Sequence, residues 1–120
     1  MDKVQTLNSF WNSFGLKAYD ENTVPDDAAL PYITYEVSTD SFGNAVALSA
    51  SLWYRDTSWA AITGKENEIS SRIGRGGCIV DYENGALWIK KGSPWSRRME
   101  EPGDDTIRRI ILNVSAEYID

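Results

Sequence analysis

The 120-residue sequence contains no histidine and a single cysteine, Cys78. Without histidine the chain lacks the most frequent general base, the usual partner of a nucleophilic serine or cysteine, and a common zinc ligand. One cysteine also excludes an intramolecular disulfide. Cys78 is interpreted as a small buried hydrophobic residue, with a thiolate beside Arg75 as the alternative. The sequence therefore predicts a protein that is not an enzyme and has no cofactor and no metal.

The chain also lacks an excess of basic residues, a long apolar run and a secretory signal. Its 12 basic and 18 acidic residues give a net charge of −6, which opposes tight binding to nucleic-acid phosphates. No apolar run approaches membrane-spanning length, and the first residues have neither the charged start nor the apolar core of a signal peptide. We expect a soluble cytoplasmic protein that is not a dedicated nucleic-acid binder.

The length and composition that remain are typical of one globular domain. Hydrophobic residues make up 42% and charged residues 25% of the sequence, close to average globular usage. A chain of this length can bury a real core. We therefore expect residues 1–120 to form a single domain.

Apolar residues recur at helical spacing in two segments. The first segment covers residues 4–14, where Asp2 can cap the start and Gly15 can end the helix. The second covers residues 59–73, with a cap among residues 56–58 and Gly74 as terminator. Both patterns predict amphipathic helices with one apolar stripe.

Strands are predicted where β-branched and aromatic residues cluster or alternate with polar ones. The predicted segments are residues 30–37, 46–54, 78–82, 87–91 and 110–118. Asn84-Gly85 predicts a type I′ hairpin turn between the third and fourth strands. Residues 16–27 and the turn at residues 40–44 are interpreted as connections, and Gly92 to Asp105 as a long irregular loop.

This order of elements predicts an α+β fold in two layers. Strands that follow one another closely favour antiparallel pairing, and two amphipathic helices can cover one face of such a sheet. We expect a mainly antiparallel sheet of about five strands with two helices on one face.

Aromatic residues are the strongest positive signal, with five Trp, six Tyr and three Phe. Trp11 and Trp59 lie on apolar helix faces and are interpreted as core residues. The other indoles exceed what a small core readily covers, and Trp, Tyr and Arg are enriched at interface hot spots. The predicted interface residues are Trp53, Trp88, Trp95, Arg97 and Arg98. We expect the loop that contains the last three to be mobile in the free subunit and ordered against a neighbour; Trp95 as a lid on the core is the alternative.

The order of several motifs resembles the tail terminator proteins of long-tailed bacteriophages, also called tail completion or head-to-tail joining proteins. The segments that carry the resemblance are Asn22-Thr23-Val24-Pro25, Leu30-Pro31-Tyr32-Ile33-Thr34-Tyr35, Leu52-Trp53-Tyr54, Gly85-Ala86-Leu87-Trp88-Ile89-Lys90-Lys91-Gly92-Ser93-Pro94-Trp95 and Arg108-Arg109. They extend through most of the chain, and their order is more specific than any single segment.

The resemblance implies an α+β subunit that forms a ring with its own copies, expected to be hexameric, at the head-proximal end of the tail tube. Such a ring stops polymerisation of the tail tube protein and docks the head connector protein, while DNA only passes through its lumen. An acidic protein suits a lumen through which DNA must slide. The implied location is the host cytoplasm during assembly and the virion afterwards, with no membrane contact.

Two other functions remain open from the sequence. One is a different neck or connector protein of a phage, which differs in its partner and ring position. The other is a small-ligand or peptide-binding module with an aromatic groove beside Trp53, Trp88 and Trp95. A concave apolar pocket in the monomer favours the module, whereas a flat sheet face favours assembly.

Overall fold

The computed structural model describes residues 1–39 and 44–119. These residues form two α-helices, one short 3-10 helix and six β-strands. The bounds are α1 Lys3–Trp11, the 3-10 helix Asn12–Phe14, β1 Lys17–Asp20, β2 Tyr32–Tyr35, β3 Ala45–Arg55, α2 Ala60–Ile73, β4 Cys78–Tyr82, β5 Gly85–Met99 and β6 Ile107–Ile119. The predicted turn at residues 40–44 lies largely outside the described residues.

The strands form one sheet in the order β1-β2-β3-β6-β5-β4. β1 pairs with β2 in parallel, and the remaining neighbours are antiparallel. The long strands β3 and β6 make the centre, with Ala50 opposite Leu112 and Trp53 opposite Arg109. The expected mixed α+β architecture is confirmed, with one strand more than the predicted five.

α1 begins and ends as its sequence indicates, and α2 ends at the predicted Gly74. The predicted cap of α2 among residues 56–58 is wrong, because the N-cap residue is Trp59, whose side chain makes no capping hydrogen bond. Asp2 accepts a hydrogen bond from the amide of Gln5, whose side chain accepts one from the Asp2 amide, which completes a capping box at α1. Gly15 follows the 3-10 turn in the left-handed region with a φ of 80°, and Gly74 caps α2 with a φ of 77°. Glycine adopts both conformations without steric cost.

The core lies between the helices and one face of the sheet. Leu7 and Trp11 of α1 and Ile62 and Ile69 of α2 belong to the same buried cluster as the strand residues. The strand members of this cluster that share one face are Ala18, Ile33, Tyr35, Leu48, Ala50, Leu52, Leu87, Ile89, Ile110, Leu112, Val114, Ala116 and Tyr118. Both helices therefore cover the same face.

One strand was missed in the sequence. Residues 16–27 were predicted to be a loop, but Lys17–Asp20 form β1. Only Ala18 of β1 is buried, so four residues give no visible alternation. The side-chain amide of Asn12 accepts from the Ala18 nitrogen at 2.9 Å and donates to the Ala18 oxygen at 3.3 Å. This side chain supports a strand that its own sequence does not specify.

The hairpin between β4 and β5 is confirmed, but its predicted turn type is wrong. The loop consists of Glu83 and Asn84, and Gly85 already pairs with Tyr82 as the first residue of β5. Neither Asn84 nor Gly85 has the positive φ that a type I′ turn requires. The Glu83 amide donates to the Met1 carbonyl at 3.0 Å, so a tertiary contact holds this turn to the N-terminus.

The prediction of an irregular loop from Gly92 to Asp105 is also wrong for its first half. β5 continues to Met99, with a shift in register between Lys91 and Ser96. Pro94 lies inside this bulge. Its missing amide hydrogen costs no strand-pairing hydrogen bond there, because the regular pairing is already interrupted. The connection that remains is residues 100–106. Among residues 1–39 and 44–119, no helix has the length and apolar character needed to span a membrane.

Candidate protein interface

The second face of the sheet is the face that α1 and α2 do not cover, and we call it the open face. Its position follows from the register, because residues directly opposite one another point to the same side. Its half-buried or exposed members include Tyr32, Trp53, Trp88, Lys90, Arg97, Arg109, Ile111 and Glu117. Trp53, Trp88 and Arg97, three of the five predicted interface residues, therefore share one face.

A network of rings and cations occupies one end of the open face. Trp53 donates through its indole nitrogen to the Thr34 hydroxyl at 2.9 Å, and the Arg109 guanidinium lies 4.4 Å from the Trp53 ring centroid. Arg109 also donates to Ser51 at 3.1 Å. The Tyr32 ring lies 6.5 Å from that of Trp53. These contacts fix the orientation of Trp53 while leaving it half exposed.

Trp88 organises the opposite end of the open face. Its indole nitrogen donates to the Gly76 carbonyl at 3.0 Å, and the Lys90 amine lies 4.1 Å from the ring centroid. Lys90 also pairs with Glu117 at 3.7 Å. Ile79 lies opposite Trp88 in the register and is 64% exposed. An aromatic ring beside an exposed aliphatic side chain forms a second small contact surface.

Gly77 is required for the close approach of this turn to β5. It has a φ of 85°, and a Cβ atom at this position would lie 2.6 Å from the Ile89 carbonyl oxygen and 2.7 Å from the Trp88 indole nitrogen. The segment Gly74-Arg75-Gly76-Gly77 thus ends α2 at the predicted terminator Gly74, and it also supports Trp88.

The other two predicted interface residues have partners inside the subunit. Trp95 packs against the core cluster, and its buried indole nitrogen has no hydrogen-bond partner within residues 1–39 and 44–119. The Arg98 guanidinium lies over the Trp59 ring, 4.6 Å from the centroid. Arg98 lies opposite Ile110 and therefore on the helix side of the sheet. The geometry favours the alternative in which Trp95 is a lid on the core.

Residues 100–106, which we call the acidic loop, connect β5 to β6. The Glu101 carboxylate lies 3.5 Å from the Arg109 guanidinium, and the Asp104 carboxylate lies 3.9 Å from that of Arg55. Hydrogen bonds from the Thr106 hydroxyl and amide, together with Arg55, lower the pKa of Asp104 from its ordinary value. The carboxylates of Glu100 and Asp105 are exposed and have no ion-pair partner among the described residues.

The acidic loop has a defined conformation within the subunit. The Arg108 guanidinium donates to the Asp105 carbonyl and to the Thr57 carbonyl, each at 2.8 Å. The same guanidinium stacks on Trp59, with 5.4 Å between its carbon and the ring centroid. These bonds tie the loop to the segment that precedes α2, which differs from the expectation that it orders only against a neighbour.

Trp53 and Trp88, two of the three indoles proposed to line one groove, do not meet. Trp53 lies opposite Arg109 and Trp88 opposite Glu117, so about 27 Å of strand separates them at about 3.4 Å per residue. A shallow groove of about 470 Å³ lies between them, lined mainly by small side chains such as Ala47, Ser49 and Ser115. The arrangement is a broad face with a contact surface at each end.

Cys78 has the environment of a structural residue. Its side chain packs against the core cluster, and burial raises the pKa of its thiol, an effect that nearby Arg72 only partly opposes. A raised pKa keeps the thiol neutral and weakly nucleophilic near pH 7. The cation that acts on the pKa of this thiol is Arg72, whereas the sequence had suggested Arg75.

Several residues of the open face were not singled out as contact residues in the sequence. Tyr19, Tyr32 and Ile79 lie on this face, and the Tyr19 and Tyr32 rings meet edge to face at 5.7 Å. In β3 and β6, apolar residues alternate with mixed ones, and this pattern in the sequence could have identified the side of each strand that faces away from the core. The strand order is what places these side chains together, and no local pattern states it.

Comparisons with protein-family models, with curated protein sequences and with solved structures give no match to this chain.

Proposed function

We propose that this protein is a structural assembly subunit of the tail terminator type. Several copies form a ring, taken to be a hexamer, at the head-proximal end of a phage tail tube. The ring occupies the end of the tube, which stops addition of further tube protein, and offers its outer surface to the head connector. DNA passes through its lumen. The motif order described above and the open face together support this proposal.

The open face is the single observation that carries the proposal. Trp53, Trp88 and Ile79 present aromatic and aliphatic surface that neither α1 nor α2 covers. Arg97 is exposed on the same face. Interface hot spots are enriched in Trp, Tyr and Arg held in fixed orientations, and the hydrogen bonds of the two indoles provide that orientation. A broad face suits contact with another protein better than enclosure of a small ligand.

Ring closure requires a contact between two different surfaces of the same subunit. A contact of this kind repeats around an axis and closes when the rotation permits, whereas contact between two identical surfaces gives a dimer. In this ring, the acidic loop of one subunit contacts the open face of the next subunit. The subunit itself supplies the fixed geometry, because both surfaces are held by the same sheet.

The proposal is tested by mass measurement across a concentration series, combined with electron microscopy. We expect a species of about six times the 13.5 kDa subunit mass, and ring-shaped particles that cap isolated tail tubes. Substitution of Trp53 by Ala should lower the ring population while the monomer remains folded. Monomers at high concentration that also fail to form rings on tubes contradict the proposal.

A further inference from the structure

The open face carries more positive charge than the chain as a whole. Within the strands, its basic members are Lys17, Arg55, Lys90, Arg97 and Arg109, and its acidic members are Asp81 and Glu117. The complete chain has six more acidic than basic residues. The acidic excess therefore lies outside the open-face positions of the strands, and part of it, in residues 100–106, meets open-face cations at one end of the face.

Three of the open-face cations already have acidic partners, and two do not. Arg55 and Arg109 pair with the acidic loop of their own subunit, and Lys90 pairs with Glu117. Lys17 and Arg97 are exposed, and neither has an ion-pair partner among the described residues. Arg97 lies opposite Ile111, so its cation is next to an uncovered apolar side chain.

The acidic loop supplies the complementary charges. Glu100 and Asp105 are its two unpaired carboxylates, while Glu101 and Asp104 reach the cations of the same subunit. The loop is held by Arg108, so little conformational entropy is lost when it docks. Within one subunit, loop carboxylates already pair with guanidinium groups of the open face, which is the type of contact needed between subunits.

The two surfaces have different positions on the subunit. The acidic loop lies at the end of the sheet where β5 ends and β6 begins, whereas Arg97 is a residue of the open face two positions before the end of β5. A contact between an end of one subunit and the face of another is heterologous, and contacts of this kind generate rings when the rotation between subunits closes.

We propose that the acidic loop of each subunit docks on the open face of a second copy, where its Glu100 and Asp105 carboxylates meet Arg97 and Lys17. This inference rests on the proposed ring and names the two surfaces that form it. The exposed rings and Ile111 supply the apolar part of the contact, and the ion pairs fix its direction. Charge complementarity at a partly exposed contact mainly sets orientation and specificity, and it weakens with salt.

A charge exchange between two variants tests the inference. The face double variant K17E/R97E and the loop double variant E100K/D105K each place like charges at the contact, so each alone should need about tenfold more protein for half-assembly. An equimolar mixture should assemble at nearly the wild-type concentration, because every junction between unlike subunits then joins opposite charges. Sedimentation velocity measures each midpoint.

Matched controls separate this contact from general effects of charge. R75E reverses an exposed arginine in the turn after α2, and E21K/E83K reverses two exposed acids away from the acidic loop. Neither control should move the midpoint appreciably. Circular dichroism and thermal melting of all variants check that the subunits remain folded.

The outcomes distinguish this inference from the ring proposal. Wild-type rings with unchanged midpoints in K17E/R97E and E100K/D105K overturn the docking inference and leave the ring intact. If each variant alone assembles poorly and the mixture does not recover, the pairing of loop with face is overturned. That result points to contact between two open faces. Wild-type protein that stays monomeric at every concentration and on tubes overturns both.

Discussion

The helix-covered face and the open face of the sheet use the same strands for opposite purposes. On β6, Leu112 and Tyr118 are completely buried beneath the helices, whereas Arg109, Ile111 and Glu117 on the other side are half-buried. The first side is held by apolar packing, and the second by ring, guanidinium and hydroxyl contacts. Along one strand, the residues that point to the helices therefore stabilise the fold, and the residues between them form the exposed surface.

The largest expected difference between the faces concerns neighbouring residues of β6. Leu112→Ala removes a side chain with 0% exposure and should lower the free energy of unfolding by about 2–5 kcal/mol. Ile111→Ala on the open face should cost about 1 kcal/mol or less. Urea denaturation of the two variants measures the difference. Similar losses in the monomer would show that the open face is also covered.

Trp95 and Trp53 provide the next comparison. Trp95→Ala removes a ring that packs against the core, so it should lower the free energy of unfolding by about 2 kcal/mol. Trp53→Ala loses one hydrogen bond and a contact with Arg109, and should cost about 1 kcal/mol. Ring formation should respond in the reverse order. If Trp95→Ala leaves the free energy of unfolding of the monomer nearly unchanged, Trp95 is an interface residue and not a lid on the core.

Alkaline pH should act through Tyr118 on the helix-covered face. Burial, with a smaller effect of Tyr82, raises the pKa of Tyr118 above 10.0, and its hydroxyl donates to the Ser38 carbonyl at 3.0 Å. The folded state therefore holds this proton more tightly than the unfolded state. Its contribution is complete below pH 10.0 and is lost as pH rises through the raised pKa. Tyr118→Phe should flatten this part of the stability profile; an unchanged slope contradicts the assignment.

The smallest expected effect comes from Asp104 at the end of the open face. Its lowered pKa means that the folded state favours the ionised carboxylate. This contribution is complete above pH 3.8 and disappears as pH falls through the lowered pKa. Asp104→Asn should slightly reduce the loss of stability in acid. Because the carboxylate is exposed, salt should make the difference between Asp104→Asn and wild type smaller still. Thermal melting at low and high salt measures it.

Several local features were available from the sequence because short-range physics determines them. Asp2 and Gly15 delimit α1, Gly74 ends α2, and the alternation from residue 110 to 118 identifies both sides of β6. Capping, positive φ and period-two burial depend on neighbouring residues alone. The two helices and all five predicted strands followed from such patterns, as did the burial of Trp11.

The tertiary structure decided what depends on distant partners. β1 exists because β2 and the Asn12 side chain pair with it, and β5 passes Pro94 because a bulge against β6 absorbs the extra residues. Trp95 turned to the core, although its flanking sequence is typical of a loop. Strand order also brought Trp53, Arg97 and Arg109 to one face. Register is set by pairing between segments far apart in the chain, so the sequence determined the elements and their two sides, while packing decided which sides became one surface.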